Sequence, residues 1–203
     1  MLDFAHPQLD RLKRPAFDRD VIYLEIGSKW GRSPAEVPGL IERVPDHAKR
    51  SMSFGAGITY GLFHIGSLQV AVDKCAAIPE RWWPYCRLGI GCGVASSRQW
   101  DSDIVRSDLA AIDPDARAVI EVGAVIGHIW YGLADEEAIS RAADAPLPVG
   151  LQPEEEAPYR QFLKGHLLAA EAMPRKSEGA ALAAPHRCSL FYSVHHVPVG
   201  LEA

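Results

Sequence analysis

The chain contains 203 residues, of which 48% are hydrophobic and 23% are charged, and its formal net charge is −5. These values are ordinary for a globular protein and argue against global disorder. Lysines and arginines are scattered without a basic run, so we expect neither nucleic acid nor a membrane surface as a partner. The length predicts one helical domain over residues 20–173, preceded by an arm (1–19) and followed by a linker and extended tail (174–203).

Four cysteines, at 75, 86, 92 and 188, do not make a disulfide framework in a chain of this length. The first residues also lack the basic and apolar regions of a signal peptide. We therefore expect a cytoplasmic protein whose cysteines are reduced, buried structural thiols.

The predicted helices begin after the arm. Asp20 to Trp30 has a periodic apolar set and ends before Gly31. The tetrapeptide Ser33-Pro-Ala-Glu36 has the form of a capping box and predicts a short helix that continues through Val44.

Residues 47–75 predict one long helix that is apolar on all sides. Within it, the 19 residues 54–72 carry no formal charge, but their polar residues and glycines favour a buried helix over a membrane span. Gly57 and Gly61 indicate that another backbone packs closely against this helix. A helix broken near a glycine is the alternative.

The next helix begins at Pro79 and continues towards Ser96. The run Gly89-x-Gly91-x-Gly93 is expected to interrupt it. No strand precedes this run, so it is not a dinucleotide-binding motif, and close packing is the favoured interpretation.

Asp113-Pro-Asp115 is the clearest helix start in the chain and predicts a helix that ends at Tyr131 or Gly132. Pro- and Gly-containing residues 145–153 predict a loop. Three further helices and one extended segment complete the prediction: Gln99–Leu109, Asp135–Ala143, Glu154–Met173 and the β-prone Cys188–Val199.

A polar stripe follows one side of the helix after Asp113. Arg117, Glu121 and His128 fall within roughly 40° of one another at 100° per residue, and Tyr131 lies close to the same stripe. Glutamate beside histidine is suited to proton transfer, and arginine is suited to holding a carboxylate. The alternative is a strip of the helix that faces solvent.

His64 lies on the same side of its predicted helix as Tyr60 and Ser67. It is either a core histidine hydrogen-bonded to a hydroxyl or a general acid or base that lines the same pocket. Near the C-terminus, the potential metal ligands His186, Cys188, His195 and His196 match no standard zinc spacing.

The order of elements over residues 29–143 resembles the carboxymuconolactone decarboxylase and AhpD-like superfamily. The resemblance is carried by Gly31-Arg-Ser-Pro34, by Pro79-Glu80 and the residues up to Arg106, by Ile112-Asp-Pro-Asp-Ala-Arg-Ala118 and by Ala134-Asp-Glu-Glu137. It implies an all-α, multi-helix orthogonal bundle of the AhpD-like type and a homo-oligomer, either a trimer or a hexamer.

The chain departs from this family at the residues that carry its chemistry. The places of the redox motif Cys-x-x-Cys-x-x-x-His are taken by Ser96, Gln99 and Asp103, so thiol peroxidase chemistry is not implied. The decarboxylase pattern aromatic–acid–x–His is echoed by Trp100 and Asp101 without the histidine. Asp101 or Asp103 would then replace that histidine.

Together these features predict a cofactor-independent acid/base enzyme with a small-molecule substrate. The substrate would be an organic acid, a lactone or a polycyclic carbonyl compound, and the reaction a decarboxylation, an isomerisation or a lactone opening. The candidate catalytic residues are His128, Glu121, His64, Asp101 and Asp103, and the candidate substrate-binding residues are Arg117, Trp100, Tyr60 and Tyr131. The alternatives are a non-catalytic partner subunit or inactive relative, and a protein that binds metal through the C-terminal His/Cys cluster.

Overall fold

The structure, a computed structural model, describes residues 23–29, 39, 41–63, 67–96, 103–131 and 133–172. In these ranges all regular structure is helical, which confirms the all-α class. The AhpD-like arrangement of the helices stays a prediction. Residues 23–29 form a leading helical segment. After it come α1 (Asp46–Leu62), α2 (Leu68–Cys75), a 3-10 turn (Glu80–Trp82), α3 (Trp83–Ser96), α4 (Asp103–Ala111), α5 (Pro114–Tyr131), α6 (Glu136–Ala143) and α7 (Pro153–Ala172).

Helix α3 lies at the centre of the fold, between α1 and α5. It is continuous through all three of its glycines, so the predicted interruption is wrong. A Cβ at Gly89 or Gly93 would collide with backbone of α1, and one at Gly91 would collide with backbone of α5. Helical geometry places alternate residues of this run on opposite sides of α3, so glycine removes the side chain wherever a neighbouring helix approaches.

The neighbouring helices carry glycines at the matching points. Gly57 and Gly61 of α1 contact the backbone of α3, and Gly123 and Gly127 of α5 contact its other side. This confirms the close packing predicted from the glycine spacing.

The single helix predicted over 47–75 is wrong, and its broken alternative is confirmed. The chain forms α1 and α2 separately, and α2 has its own N-terminal cap. The hydroxyl of Ser67 accepts a hydrogen bond from the amide of Gln69, and the carboxylate of Asp108 accepts one from the amide of Leu68 at 2.8 Å. The uncharged stretch 54–72 is thereby divided between two helices. None of the helices in the described ranges has the length and apolarity that crossing a bilayer requires.

Two of the predicted helix starts are confirmed. Asp113 accepts hydrogen bonds from the amides of Asp115 and Ala116 at the start of α5. Asp135 accepts one from the amide of Ala138 at the start of α6. These side chains satisfy amides that have no partner within their own helix.

Cys75, the last residue of α2, forms a disulfide with Cys86 of α3. The expectation that all cysteines are reduced thiols is therefore wrong, because helix packing brings together two cysteines whose spacing signals no pairing. Cys92 is a buried thiol, as expected, and Cys188 lies outside the described residues. Since disulfides persist mainly in oxidising compartments, the cytoplasmic location loses the support that it drew from the cysteines and stays a prediction.

Candidate functional site

The polar stripe of α5 lies at the protein surface near its first turns. Nε of Arg117 is 4.0 Å from a carboxylate oxygen of Glu121, and these side chains are 38% and 54% exposed. An ion pair of this kind between solvent-exposed groups contributes little to stability. His128, further along α5, is half-buried, and its backbone carbonyl accepts a hydrogen bond from the amide of Leu133.

The other predicted site residues are dispersed. Asp103 is exposed at the start of α4, where it pairs with Arg106 at 2.8 Å. Tyr60 is buried in α1, and burial raises the pKa of its hydroxyl to about 12. His64, Trp100, Asp101 and the side chain of Tyr131 lie outside the described residues. The predicted arm and the tail with its His/Cys cluster also lie outside the described residues. The described ranges themselves contain no cluster of three potential metal ligands.

A cleft of about 240 Å³ lies where α2, α3 and the start of α5 meet. We call it the Arg87 cleft. Its lining combines apolar, acidic and basic groups: Gln69, Val72, Asp73, Cys75, Ala76, Trp83, Arg87, Ile112, Asp113 and Ala116. The sequence analysis did not select Arg87. Its one local signal is the spacing of four residues from Trp83, which places both side chains on one face of α3.

Arg87 is half-buried, and its guanidinium carbon lies 5.4 Å from the centre of the Trp83 ring. Its Nε is fully buried and has no hydrogen-bond partner among the described residues. Burial lowers the pKa of Arg87, and the more distant charges of Asp113, Asp115 and Glu80 oppose this effect only in part. A buried guanidinium donor without an acceptor is costly and is rarely left unpaired.

Two carboxylates also line the cleft, and each has one oxygen committed elsewhere. An oxygen of Asp73 accepts a hydrogen bond from the side-chain amide of Gln69 at 2.8 Å. An oxygen of Asp113 accepts the two amides that begin α5. Since an ionised carboxylate can accept about four hydrogen bonds, both groups retain capacity for a cation.

The α5 stripe leads away from this cleft. Asp113 and Arg117 are one helical turn apart, so Arg117 lies roughly 6 Å further along the helix axis. By the same rise per residue, Glu121 is about 12 Å and His128 about 22 Å beyond Asp113. Arg117 is therefore one turn beyond Asp113 and outside the cleft lining, and His128 is too distant to contact a small ligand in the Arg87 cleft.

A second charged site is the carboxylate of Glu155, in the first turn of α7, which is completely buried. It accepts hydrogen bonds from the guanidinium groups of Arg50 and Arg81 and from the hydroxyl of Tyr85. Burial alone would raise the pKa of Glu155, but these donors outweigh it and hold the pKa below its usual range. Because every charged group in this cluster is paired, we interpret it as a structural link between α7 and the rest of the core.

His166 of α7 lies in an aromatic cluster. The centre of its ring is 4.8 Å from that of Phe54, 4.6 Å from that of Phe162 and 6.1 Å from that of Trp130. Burial in this apolar setting lowers the pKa of His166 to about 4, so the imidazole is neutral at physiological pH. Sequence inspection missed both α7 residues, since each depends on contacts with distant segments.

Comparison with protein-family profiles, curated proteins and solved structures finds no match to this chain. The resemblance to the carboxymuconolactone decarboxylase and AhpD-like superfamily therefore stays a prediction.

Proposed function

We propose that this protein binds a small zwitterionic organic acid, of the size and charge pattern of an amino acid, in the Arg87 cleft. The observation that carries the proposal is the half-buried guanidinium of Arg87, which borders the cleft and whose Nε has no acceptor among the described residues. A ligand carboxylate in the cleft pairs with this guanidinium and compensates its partly buried charge. Guanidinium is well suited to this because its planar array of donors matches the two oxygens of a carboxylate.

The carboxylates of the cleft support a ligand that also carries a positive charge. Asp73 and Asp113 each have an oxygen that is not engaged by the contacts described above. A purely anionic ligand would be repelled by both, whereas an ammonium group would pair with them. The mixture of one arginine and two aspartates therefore favours a zwitterion over an anion.

The size of the cleft sets an upper limit on the ligand. Its volume of about 240 Å³ is below the range of roughly 300–1,000 Å³ that is usual for sites of drug-sized ligands. Val72, Ile112 and the Trp83 ring provide apolar contact for a short side chain. These dimensions favour a compact ligand over a polycyclic one.

For the reaction, we propose the acid/base chemistry without a cofactor that the sequence predicts. In the Arg87 cleft, the groups within reach of a small ligand are Asp73 and Asp113, with Arg117 one turn from the rim. Glu121 and His128 are about 12 and 22 Å along α5 from Asp113. Turnover measured in Asp113→Asn, Glu121→Ala and His128→Ala decides whether the cleft residues or the α5 stripe carry the chemistry. Activity that is lost in Glu121→Ala and His128→Ala but kept in Asp113→Asn would place the chemistry outside this cleft.

The binding test uses the purified full chain and the twenty common amino acids, with acetate and methylammonium as probes that carry one charge. Saturation-transfer NMR identifies a binder, and calorimetry measures its Kd. We expect a zwitterion to bind more tightly than either single-charge probe. Arg87→Gln should weaken binding at least tenfold, because a hydrogen bond to a charged group contributes about 1.5–3 kcal/mol.

Arg141→Gln is the matched control, because Arg141 is an exposed arginine of α6 that pairs with Glu137. It should leave the affinity unchanged. The proposal is wrong if no amino acid binds at millimolar concentration to the folded protein. It is equally wrong if the Arg87→Gln and Arg141→Gln variants bind the same amino acid with the affinity of the original protein.

A further inference from the structure

The disulfide between Cys75 and Cys86 joins the two helices that form opposite parts of the Arg87 cleft. Cys75 is the last residue of α2 and itself lines the cleft, while Cys86 belongs to α3 and precedes Arg87. The bond therefore links α2, which carries Asp73 of the cleft, to α3, which carries Arg87.

Helix α2 is short, and the disulfide is one of several contacts that hold it in place. It is eight residues long, and isolated helices of this length are unstable in water. Leu68, Ala71 and Cys75 are its buried residues, while Gln69, Val70 and Asp73 are exposed. The hydrogen bond from Leu68 to Asp108 links it to α4, and Nζ of Lys74 lies 5.7 Å from the centre of the Tyr60 ring in α1. The disulfide adds a covalent link to α3.

The two half-cystines are both buried but differ in their position relative to the cleft. Cys75 belongs to the cleft lining, whereas Cys86 does not. A protein-sized reductant cannot enter a cleft of about 240 Å³. A low-molecular-weight thiol can, and it meets the disulfide on the side of Cys75.

We infer that the Cys75–Cys86 disulfide is a redox clamp on the Arg87 cleft, opened by a small thiol that enters through the cleft. In the first step the thiolate attacks Sγ of Cys75, the disulfide bond breaks, and Cys86 leaves as a thiolate. A second thiolate attacks the mixed disulfide on Cys75 and releases the Cys75 thiolate with the symmetrical disulfide of the small thiol. The two electrons come from two thiols, and the same exchange in reverse, with that small disulfide as oxidant, closes the clamp.

The inference rests on the proposed function for the identity of the small thiol. If the cleft binds zwitterions, then free cysteine, which carries a carboxylate, an ammonium and a thiol, fits it better than an uncharged thiol. The opening of the clamp is then coupled to the ligand site, because α2 carries Gln69 and Asp73 away from Arg87 when its covalent link to α3 is lost.

In the first measurement, native protein purified in air is treated with L-cysteine or with 2-mercaptoethanol at equal thiolate concentration. The reaction is quenched with acid, and the modified peptides are identified by mass spectrometry. We expect the mixed disulfide on Cys75 with Cys86 free, and we expect it to form faster with cysteine. The preference for cysteine should disappear in Arg87→Gln and in urea-unfolded protein. Three outcomes would overturn the inference. The small thiol could modify Cys86 first, the disulfide could be reduced only after unfolding, or the protein purified in air could lack the disulfide.

The second measurement compares amide hydrogen exchange of the oxidised chain with that of the reduced chain and of the Cys75→Ser/Cys86→Ser variant. Exchange over residues 68–75 should rise at least tenfold on opening, while α1 and α5 keep their protection. Cys92→Ala, which removes the buried thiol outside the disulfide, should retain the redox response. Unchanged exchange in 68–75 would overturn the clamp.

Affinity separates the two proposals. An amino acid that binds the oxidised chain at least tenfold more tightly than the reduced chain supports both. Equal affinity in the two states retains the proposed function and refutes the clamp. If no amino acid binds but exchange in residues 68–75 responds to reduction, the proposed function is refuted and the clamp is supported by the exchange data.

Discussion

Nε of Arg50 in α1 lies 2.8 Å from Oε2 of Glu155 in α7, although the two residues are 105 positions apart in the chain. Burial disfavours the charged form of Arg50, but its hydrogen bond to Glu155 and its charge interactions with Tyr85 and Glu155 together outweigh this effect and raise the pKa of the guanidinium. Arg81 and Tyr85 contact the same carboxylate, so one acidic side chain joins α1, the 3-10 turn and α3 to α7.

Replacing this carboxylate should destabilise the whole fold. Glu155→Gln keeps the shape of the side chain but removes the carboxylate that pairs with both arginines, leaving Arg81 with Asp46 at 3.4 Å as its remaining ion-pair partner. We expect a loss of about 3 kcal/mol in the free energy of unfolding, measured by urea denaturation, because breaking a buried ion pair typically costs 3–5 kcal/mol. Glu156→Gln, at an exposed position next along α7, is the control and should change little. Equal stability of the two variants would contradict the structural role of the cluster.

The same cluster predicts acid sensitivity. The folded pKa of Glu155 lies below its usual value of 4.5, so its contribution to stability is complete above about pH 5. It is lost as the pH falls from the unfolded pKa towards the lower folded pKa. Urea denaturation from pH 6 to pH 3 should show this loss in the original protein and a shallower decline in Glu155→Gln. Parallel curves would show that other carboxylates cause the acid sensitivity.

His166 should add a separate pH dependence at higher pH. Its folded pKa is about 4 and its ordinary value is 6.5. The unfolded chain therefore takes up a proton before the folded chain does, and stability falls as the pH is lowered from about 6.5 to about 4. The difference between the two pKa values corresponds to about 3 kcal/mol of stability.

The variant His166→Phe should remove this decline while keeping the ring contacts with Phe54 and Phe162. His47→Gln, at an exposed histidine, should retain it. A His166→Phe variant that loses stability with acid as steeply as the original protein would show that the imidazole is not buried in its neutral form.

The glycine contacts predict a pair of matched substitutions. A Cβ at Gly89 would collide with the carbonyl oxygen of Phe54, whereas a Cβ at Gly165 of α7 meets nothing within 4 Å. Gly89→Ala should lower the free energy of unfolding by about 2 kcal/mol or more, because α1 and α3 must separate. Gly165→Ala should raise it by up to about 1 kcal/mol, since alanine is the better helix former. Thermal denaturation of the two variants checks the prediction, and a shift of Tm in the same direction for both would contradict it.

The features that the sequence predicted are those coded by neighbouring residues. Asp113 and Asp135 begin helices because their side chains reach amides two or three residues ahead, and this spacing is visible in the sequence. The glycine spacing of α1 and α3 indicated close packing for the same local reason. The break between α1 and α2 was predicted only as the alternative, because apolar residues continue across it and hydropathy does not mark where one helix ends.

The candidate site was harder to predict, because it depends on which helices meet. Arg87 and Asp113 belong to one cleft only because α3 packs against α5, and Cys75 pairs with Cys86 only because α2 folds back on α3. The stripe of Arg117, Glu121 and His128 was visible from helical periodicity. Periodicity does not show, however, that Arg117 and Glu121 point to solvent rather than to a neighbouring helix.

The backbone contacts at the centre of the fold also constrain how this sequence can diverge. At Gly57, Gly89, Gly91 and Gly123 even one added carbon meets the backbone of another helix, so neighbouring side chains cannot rearrange to accept it. Cores built from interlocking side chains tolerate compensating changes of volume, but these positions offer no side chain to exchange. Relatives of this protein should therefore keep the glycine spacing of α1, α3 and α5 after their surfaces have become dissimilar, and that spacing is the pattern by which remote relatives can be found.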